Sequence, residues 1–180
     1  MLVVVLSGPG GAGKGTIARA VVGDDRQLVL SRSWTTRERR VDDSVDAYVF
    51  VSRIEFDAHR KAGGFLEWNE FLGCGYGTPV PDAADERDLL LEIDVAGGRQ
   101  VLEQIPGALC LFVDAPDDDE LRRRLTGRGD GPERTDKRLA EAERERTEAD
   151  ELGYIRVVNG DLDLAITKVR GLIDAARIDR

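Results

Sequence analysis

Histidine, cysteine and methionine are scarce in this chain: 180 residues hold one His, two Cys and one Met. His59 is the only imidazole and lies in a polar, helix-like stretch where a solvated side chain is expected, so serine–histidine and cysteine–histidine catalysis lack a natural base. Cys74 and Cys110 stand 36 positions apart, which gives no metal-ligand spacing, and we expect reduced thiols. Long apolar runs are missing too. Leu2 to Leu6, the one near the N-terminus, has no basic flank and no cleavage site and is far short of a membrane span, so a cytoplasmic protein without a membrane partner is expected. Net positive charge is also lacking: 35 acidic residues against 26 basic ones give a formal charge of -9, the wrong sign for gripping a nucleic-acid polymer.

What remains suffices for one domain with a full core, since 41% of the residues are hydrophobic and 34% charged. The basic residues are 22 Arg and only 4 Lys, and several guanidinium forks converging would suit capture of phosphate or carboxylate. Short β-branched runs (Leu2 to Leu6, Leu28 to Leu30, Leu89 to Ile93, Leu109 to Val113) alternate with helical patterns (Lys14 to Val22, Val95 to Gln104). That order predicts an α/β fold with a mainly parallel sheet. Leu162, Ile166, Val169, Ile173 and Ala176 follow a cap at Asp161 at helical spacing, predicting a closing amphipathic helix. Between Ser33 and Pro81 the pattern changes: Tyr48 to Val51 and Phe65 to Phe71 read as strands, and Ser52 to Glu55 as a capping box. Thr126 to Thr135, with three glycines and a proline between helical segments, reads as a flexible cover.

Gly8-Pro9-Gly10-Gly11-Ala12-Gly13-Lys14 follows the first strand directly and opens a helix, the context that a Gly-x-x-x-x-Gly-Lys phosphate loop requires. Glycines let backbone N–H groups turn toward phosphate oxygens, and the helix N-terminus and the Lys14 ammonium add positive charge. Nucleoside triphosphate binding is implied. The residue after the lysine is Gly15, where a hydroxyl usually meets Mg²⁺, and the hydroxyl comes one place later at Thr16. That ending resembles the Gly-Lys-Gly-Thr of adenylate and cytidylate kinases. It implies Mg²⁺ held mainly through water and nucleotide phosphates, with Thr16 or Asp94 as candidate protein ligands.

Three arginines, Arg37, Arg39 and Arg40, crowd a polar turn after Ser33, where they are either a second anion site or an exposed charge cluster. With Tyr48, Phe65-Leu66-Glu67-Trp68, Gly75-Tyr76-Gly77-Thr78-Pro79, Leu90-Leu91-Glu92-Ile93-Asp94-Val95 and Val157-Val158-Asn159-Gly160-Asp161, the chain resembles the guanylate kinase family nearly end to end. The resemblance implies a P-loop nucleoside monophosphate kinase that phosphorylates GMP or dGMP from ATP with Mg²⁺. It implies a core (1–32, 82–125 and 139–180), an inserted GMP-binding lobe (33–81) and a short lid (126–138). Arg37, Arg40, Tyr48 and Tyr76 would hold the GMP phosphate, and Ser33, Glu67 and Thr78 would read guanine. Asp94 would lie where the two nucleotides meet. Arg124, Arg128 and Arg138 would approach the triphosphate, and Asn159 would lie on the adenine side. Lys14, Arg37, Arg124, Arg128 and Arg138 are thus the candidate catalytic charges; Arg122, Arg123 and Arg134 read as solvated.

Guanine presents adjacent N1–H and N2–H donors that one carboxylate accepts together, and adenine has no such pair, so Glu67 is a natural discriminator. Two departures from the family pattern stand out: Arg39 replaces a proline, and Pro79 to Asp88 is too short for the usual helix. The alternatives are a sugar-phosphate kinase on the same core, which needs no guanine-reading carboxylate, and a guanylate-kinase-like phosphopeptide-binding module, which needs no intact Gly13-Lys14. Monomer and homodimer both remain open.

Overall fold

The computed structural model describes residues 1–39, 45, 48–71 and 73–178. Strand β1 (Val3–Ser7) is buried at every position and forms the middle of a five-stranded sheet. On one side of it lie β7 (Asp88–Glu92) and, at the edge, β2 (Leu28–Leu30); on the other lie β8 (Leu109–Asp114) and β9 (Ile155–Val158). All four pairings are parallel. Strands covered on both faces need no polar alternation, which is why β1 is apolar from Val3 to Leu6 without a break.

Helix α1 (Lys14–Gly23) and α6 (Leu162–Ile178) cover one face, packing Ile17, Val21, Val169 and Ile173 on Leu2, Val4 and Leu6. Helix α3 (Val95–Gln104) covers the other, with Val95 and Val101 against Val3, Val5 and Phe112. Each such side chain contributes about 1.5–3 kcal/mol on burial. Asp161 accepts the Leu164 N–H at 3.0 Å, as a cap should. The expected line holds at Val169 and Ile173, which are buried, and at Ile166 and Ala176, which pack against the same core, with Ala165 added to it; only Leu162 leaves it, at 39% exposed.

Between β2 and β7 the chain builds a second sheet from β3 (Trp34–Thr35), β4 (Val49–Phe50), β5 (Phe65–Phe71) and β6 (Cys74–Pro79), in the order β4–β3–β6–β5. The strand expected over Tyr48 to Val51 shrinks to two residues, since only those pair with β3. Helix α2 (Arg53–Lys61) opens on the Ser52–Glu55 capping box. His59 corrects one expectation: it is half-buried, stacked on Trp34 at 4.4 Å and edge-on to Phe65 at 4.6 Å.

The flexible cover also shrinks. Helix α4 (Asp118–Gly127) and α5 (Pro132–Glu151) leave only residues 128–131 between them. Gly129 takes a left-handed φ of 89° after α4, and Pro132, whose missing N–H costs nothing in a first turn, starts α5. Arg146 anchors α5 to β8 through a bidentate pair with Asp114, Nε to Oδ2 at 2.7 Å and Nη2 to Oδ1 at 3.2 Å. Cys74 and Cys110 are both free. Among the described residues no helix is long and apolar enough to cross a membrane.

Candidate active site

Beyond the carboxyl ends of β1 and β7, where ligands of open parallel sheets lie, a cleft of about 760 Å³ separates the main sheet from the second one. Its floor is the loop from Gly8 to Gly13. Gly8, at φ 141°, passes so close to β8 that a Cβ would stand 1.9 Å from the Val113 carbonyl oxygen, so only glycine fits. Gly13, at φ 96°, caps α1 and accepts the N–H groups of Thr16 and Ile17 at 3.1 Å each. Lys14 Nζ donates to the carbonyls of Gly8 and Pro9. Its pKa is lowered by burial, and the nearby carboxylates of Glu145, Glu92 and Asp94 oppose that shift.

The opposite wall comes from the second sheet. Glu67 on β5 lies directly across from Thr78 on β6 and is only 5% exposed. Burial pushes its carboxyl up to about 7, hydrogen bonds from Thr78 pull it down, and the charge of Asp94 adds to the rise. A Cβ on residue 97 would lie 2.7 Å from Glu67 Oε2, so Gly97 at the start of α3 leaves room for this carboxylate. Ser33 Oγ and Thr78 Oγ1 are 3.1 Å apart. Tyr48 and Tyr76 meet edge to face at 6.0 Å, and the Arg37 guanidinium lies 5.5 Å from the Tyr48 ring.

Asp94, just past β7, caps α3 by accepting the Gly97 N–H at 2.7 Å and also accepts the Asn69 amide at 3.4 Å. Glu92 reaches over Gly15, with both carboxylate oxygens 3.2 Å from where a Cβ would stand. Hard oxygen donors next to Lys14 suit an Mg²⁺ that keeps most of its water and phosphate ligands. Among the described residues no group of three His, Cys, Asp or Glu side chains forms a self-sufficient metal cage. Thr16 is exposed on α1.

Of the residues singled out from sequence, Gly8, Gly10, Lys14, Ser33, Arg37, Tyr48, Glu67, Tyr76, Asp94 and Arg138 line this one cleft. Thr78 supports it from behind Ser33 and Glu67. Pro9, Gly11, Ala12 and Gly13 complete the loop, with Gly11 against Leu121 and Leu125. Arg124 is elsewhere, paired with Glu120 at 2.7 Å and donating to the Asn159 carbonyl at 2.7 Å. Arg128 is the exposed C-cap of α4, and Arg40 lies outside the described residues.

The lining also includes Arg134, Arg19, Asn69, Glu92 and Glu145, which sequence reasoning did not select. Arg134 is exposed, as expected of a solvated charge, and also stands at the rim of the cleft. Because α5 is one unbroken helix, Arg134, Arg138 and Glu145 share a face at a spacing of four and then seven. Asp130 pairs with Arg134 at 3.0 Å and with Arg138 at 3.4 Å. Glu145 keeps one buried carboxylate oxygen with no hydrogen-bond partner, and burial pushes its pKa up to about 7 against the pull of Lys14.

A phosphate cradle on a parallel sheet, facing a buried carboxylate across a shared cleft, defines a P-loop phosphotransferase that brings two phosphate-bearing ligands together. Within that class, the family model described as guanylate kinase matches residues 1–176. A guanylate kinase of Symbiobacterium thermophilum is 40% identical over 98% of this chain and 86% of its own length. One from Alkalilimnicola ehrlichii is 43% identical over 96% of this chain and 88% of its own. The crystal structure of guanylate kinase from Anaplasma phagocytophilum superposes with a TM-score of 0.76 at 28% identity, covering 97% of this chain and 85% of that one. The chain belongs to the guanylate kinase family.

Proposed function

We propose that this cleft transfers the γ-phosphoryl group of ATP to GMP or dGMP, giving ADP and GDP or dGDP. The observation that carries the reading is Glu67: a carboxylate buried in a cleft wall beside a pair of hydroxyls, opposite a phosphate loop. The ionised form accepts guanine N1–H and N2–H together, and Ser33 or Thr78 donates to O6. Arg37, with Tyr48 and Tyr76 beside it, would hold the GMP phosphate, and the Gly8–Lys14 loop the triphosphate. The attacking oxygen is already anionic, so no histidine or serine base is needed, and catalysis rests on alignment and on positive charge from Lys14 and Arg138. Mg²⁺, held by water and nucleotide phosphates near Glu92 and Asp94, would neutralise charge between the phosphates.

The second sheet (33–81) would close as a lobe, and the 126–138 stretch, which takes in the first turns of α5, as a lid carrying Arg134 and Arg138. A sugar-phosphate kinase would have no use for the Glu67 pocket, and a scaffold module would have none for the intact Gly13-Lys14. A coupled ADP-release assay with each nucleoside monophosphate and Mg²⁺-ATP tests the proposal. GMP or dGMP should drive turnover far faster than AMP, CMP or UMP, and absence of GMP-dependent turnover overturns it.

A further inference from the structure

The phosphate loop is braced from outside the cleft by a residue that lies far from it in sequence. Asn159, between β9 and α6, is only 6% exposed. Its backbone N–H donates to the Asp114 carbonyl at 2.7 Å. Its carbonyl accepts from Arg124 Nη2 at 2.7 Å, and Arg124 is itself held by Glu120 through Nε at 2.7 Å. Its side-chain amide donates to the Ala12 carbonyl at 2.7 Å.

That last bond has a consequence fixed by peptide geometry. The Ala12–Gly13 bond is trans, so its C=O and N–H point in opposite directions. Drawing the Ala12 oxygen outward to Asn159 turns the Gly13 N–H inward, toward where a phosphate oxygen is held. Gly13 sits at φ 96°, and a Cβ there would lie 2.4 Å from the Asn159 amide nitrogen, so this contact also requires residue 13 to be glycine.

We propose that Asn159 is a positioning residue that sets the Gly13 amide for triphosphate binding, with Arg124 and Glu120 holding Asn159 in place. Its action is on the phosphates and is blind to the base. The inference rests on the Gly8–Lys14 loop being a triphosphate cradle, and the test separates the two.

Binding of Mg²⁺-ATP, Mg²⁺-CTP and inorganic tripolyphosphate would be measured by calorimetry in wild type and Asn159→Ala, with thermal melting recorded for both. All three ligands should weaken by the same factor, about tenfold. The Gly13 amide resonance, which should move downfield when tripolyphosphate is added to the wild type, should move less in the variant. Asn159→Ser, whose hydroxyl is too short to reach Ala12, should act in the same direction and serves if the alanine variant melts. A loss confined to ATP would make Asn159 an adenine contact and overturn the proposal. Unchanged tripolyphosphate binding in a folded variant would also overturn it while leaving the cradle intact. Failure of the wild type to bind tripolyphosphate or nucleotide would remove the cradle and this inference together.

Discussion

The two walls of the cleft are built by opposite means. The phosphate side is made of backbone: Gly8 to Gly13 form one contiguous turn whose shape follows from positive φ angles and from the absence of Cβ atoms at Gly8 and Gly13. The wall proposed to read the base is made of side chains on separate strands, with Ser33 and Thr78 meeting across 45 positions of sequence and Glu67 buried against α3. Backbone N–H donors cannot titrate and survive any side-chain substitution short of proline, so the first wall should tolerate pH and show its weakness at Lys14 and at the Asn159 brace behind Ala12. The second depends on a carboxylate held in a site that resists its charge, and should respond to both.

The largest effect expected is on the phosphate side. Lys14→Ala removes the ammonium that the loop itself supplies and should lower kcat on the order of a hundredfold or more, as loss of a preorganised electrostatic donor does. Steady-state kinetics at saturating GMP and ATP would show it, and near-normal turnover in a folded variant would place the catalytic charge elsewhere. On the base side, Glu67→Gln presents an NH₂ group to a base edge that is already a donor. kcat/KM for GMP should fall about a hundredfold, near 3 kcal/mol, while ATP binding barely changes. Equal losses for both nucleotides would mean that the two walls are not energetically separate.

The same contrast explains what the sequence discloses. A cradle made from contiguous backbone is readable as Gly8 to Lys14 on a strand–helix junction, and so is the Ser52–Glu55 box, because each is completed within a few residues. The pocket around Glu67 depends on the β5–β6 register and on Gly97 leaving room, neither of which has a local signal; only the family resemblance pointed there. His59 was expected in solvent because its own helix is polar, yet Trp34 and Phe65 from other strands cover it. Arg134, exposed and paired with Asp130, is legible as a surface charge, whereas Glu145 carries no local signal that it faces the cleft. Starting α5 at Pro132 puts both on the face of Arg138.

A smaller effect, about tenfold, is expected from pH. With Glu67 near 7, the carboxylate that guanine requires is mostly protonated at pH 6 and mostly ionised at pH 8, so KM for GMP should rise about tenfold on going from pH 8 to pH 6. Glu67→Gln should lose that dependence, and binding of tripolyphosphate to the loop should not share it. Stability should move the other way. Between about pH 4.5 and 7 the folded protein keeps a proton on Glu67 that the unfolded chain has released, so this contribution falls as pH rises through that window and is level above it. Glu145, raised in the same direction, adds to the trend. Glu67→Gln should therefore melt above wild type at pH 8 despite its damaged GMP kinetics. A lower melting point there would show that the carboxylate is held by more favourable contacts than Thr78 supplies.

The smallest effect tests whether the backbone wall needs a side-chain hydroxyl at all. Gly15→Ser restores the group that usually follows the P-loop lysine, but its Cβ would stand 3.2 Å from both oxygens of Glu92 and 3.3 Å from Arg19 Nη1. These are the ends of flexible side chains that can give by a few tenths of an ångström, and the new hydroxyl can donate to the Glu92 carboxylate. A serine in the first turn of α1 also costs the helix less than glycine does, by roughly half a kcal/mol. If water and phosphate oxygens already complete the Mg²⁺ shell, kcat should change only a few-fold, about 1 kcal/mol or less in barrier, and the Mg²⁺ concentration for half-maximal rate should hardly move. A several-hundredfold gain with a sharp fall in that concentration would mean that the native loop lacks a metal ligand, and that Glu92 over Gly15 does not substitute for the missing hydroxyl.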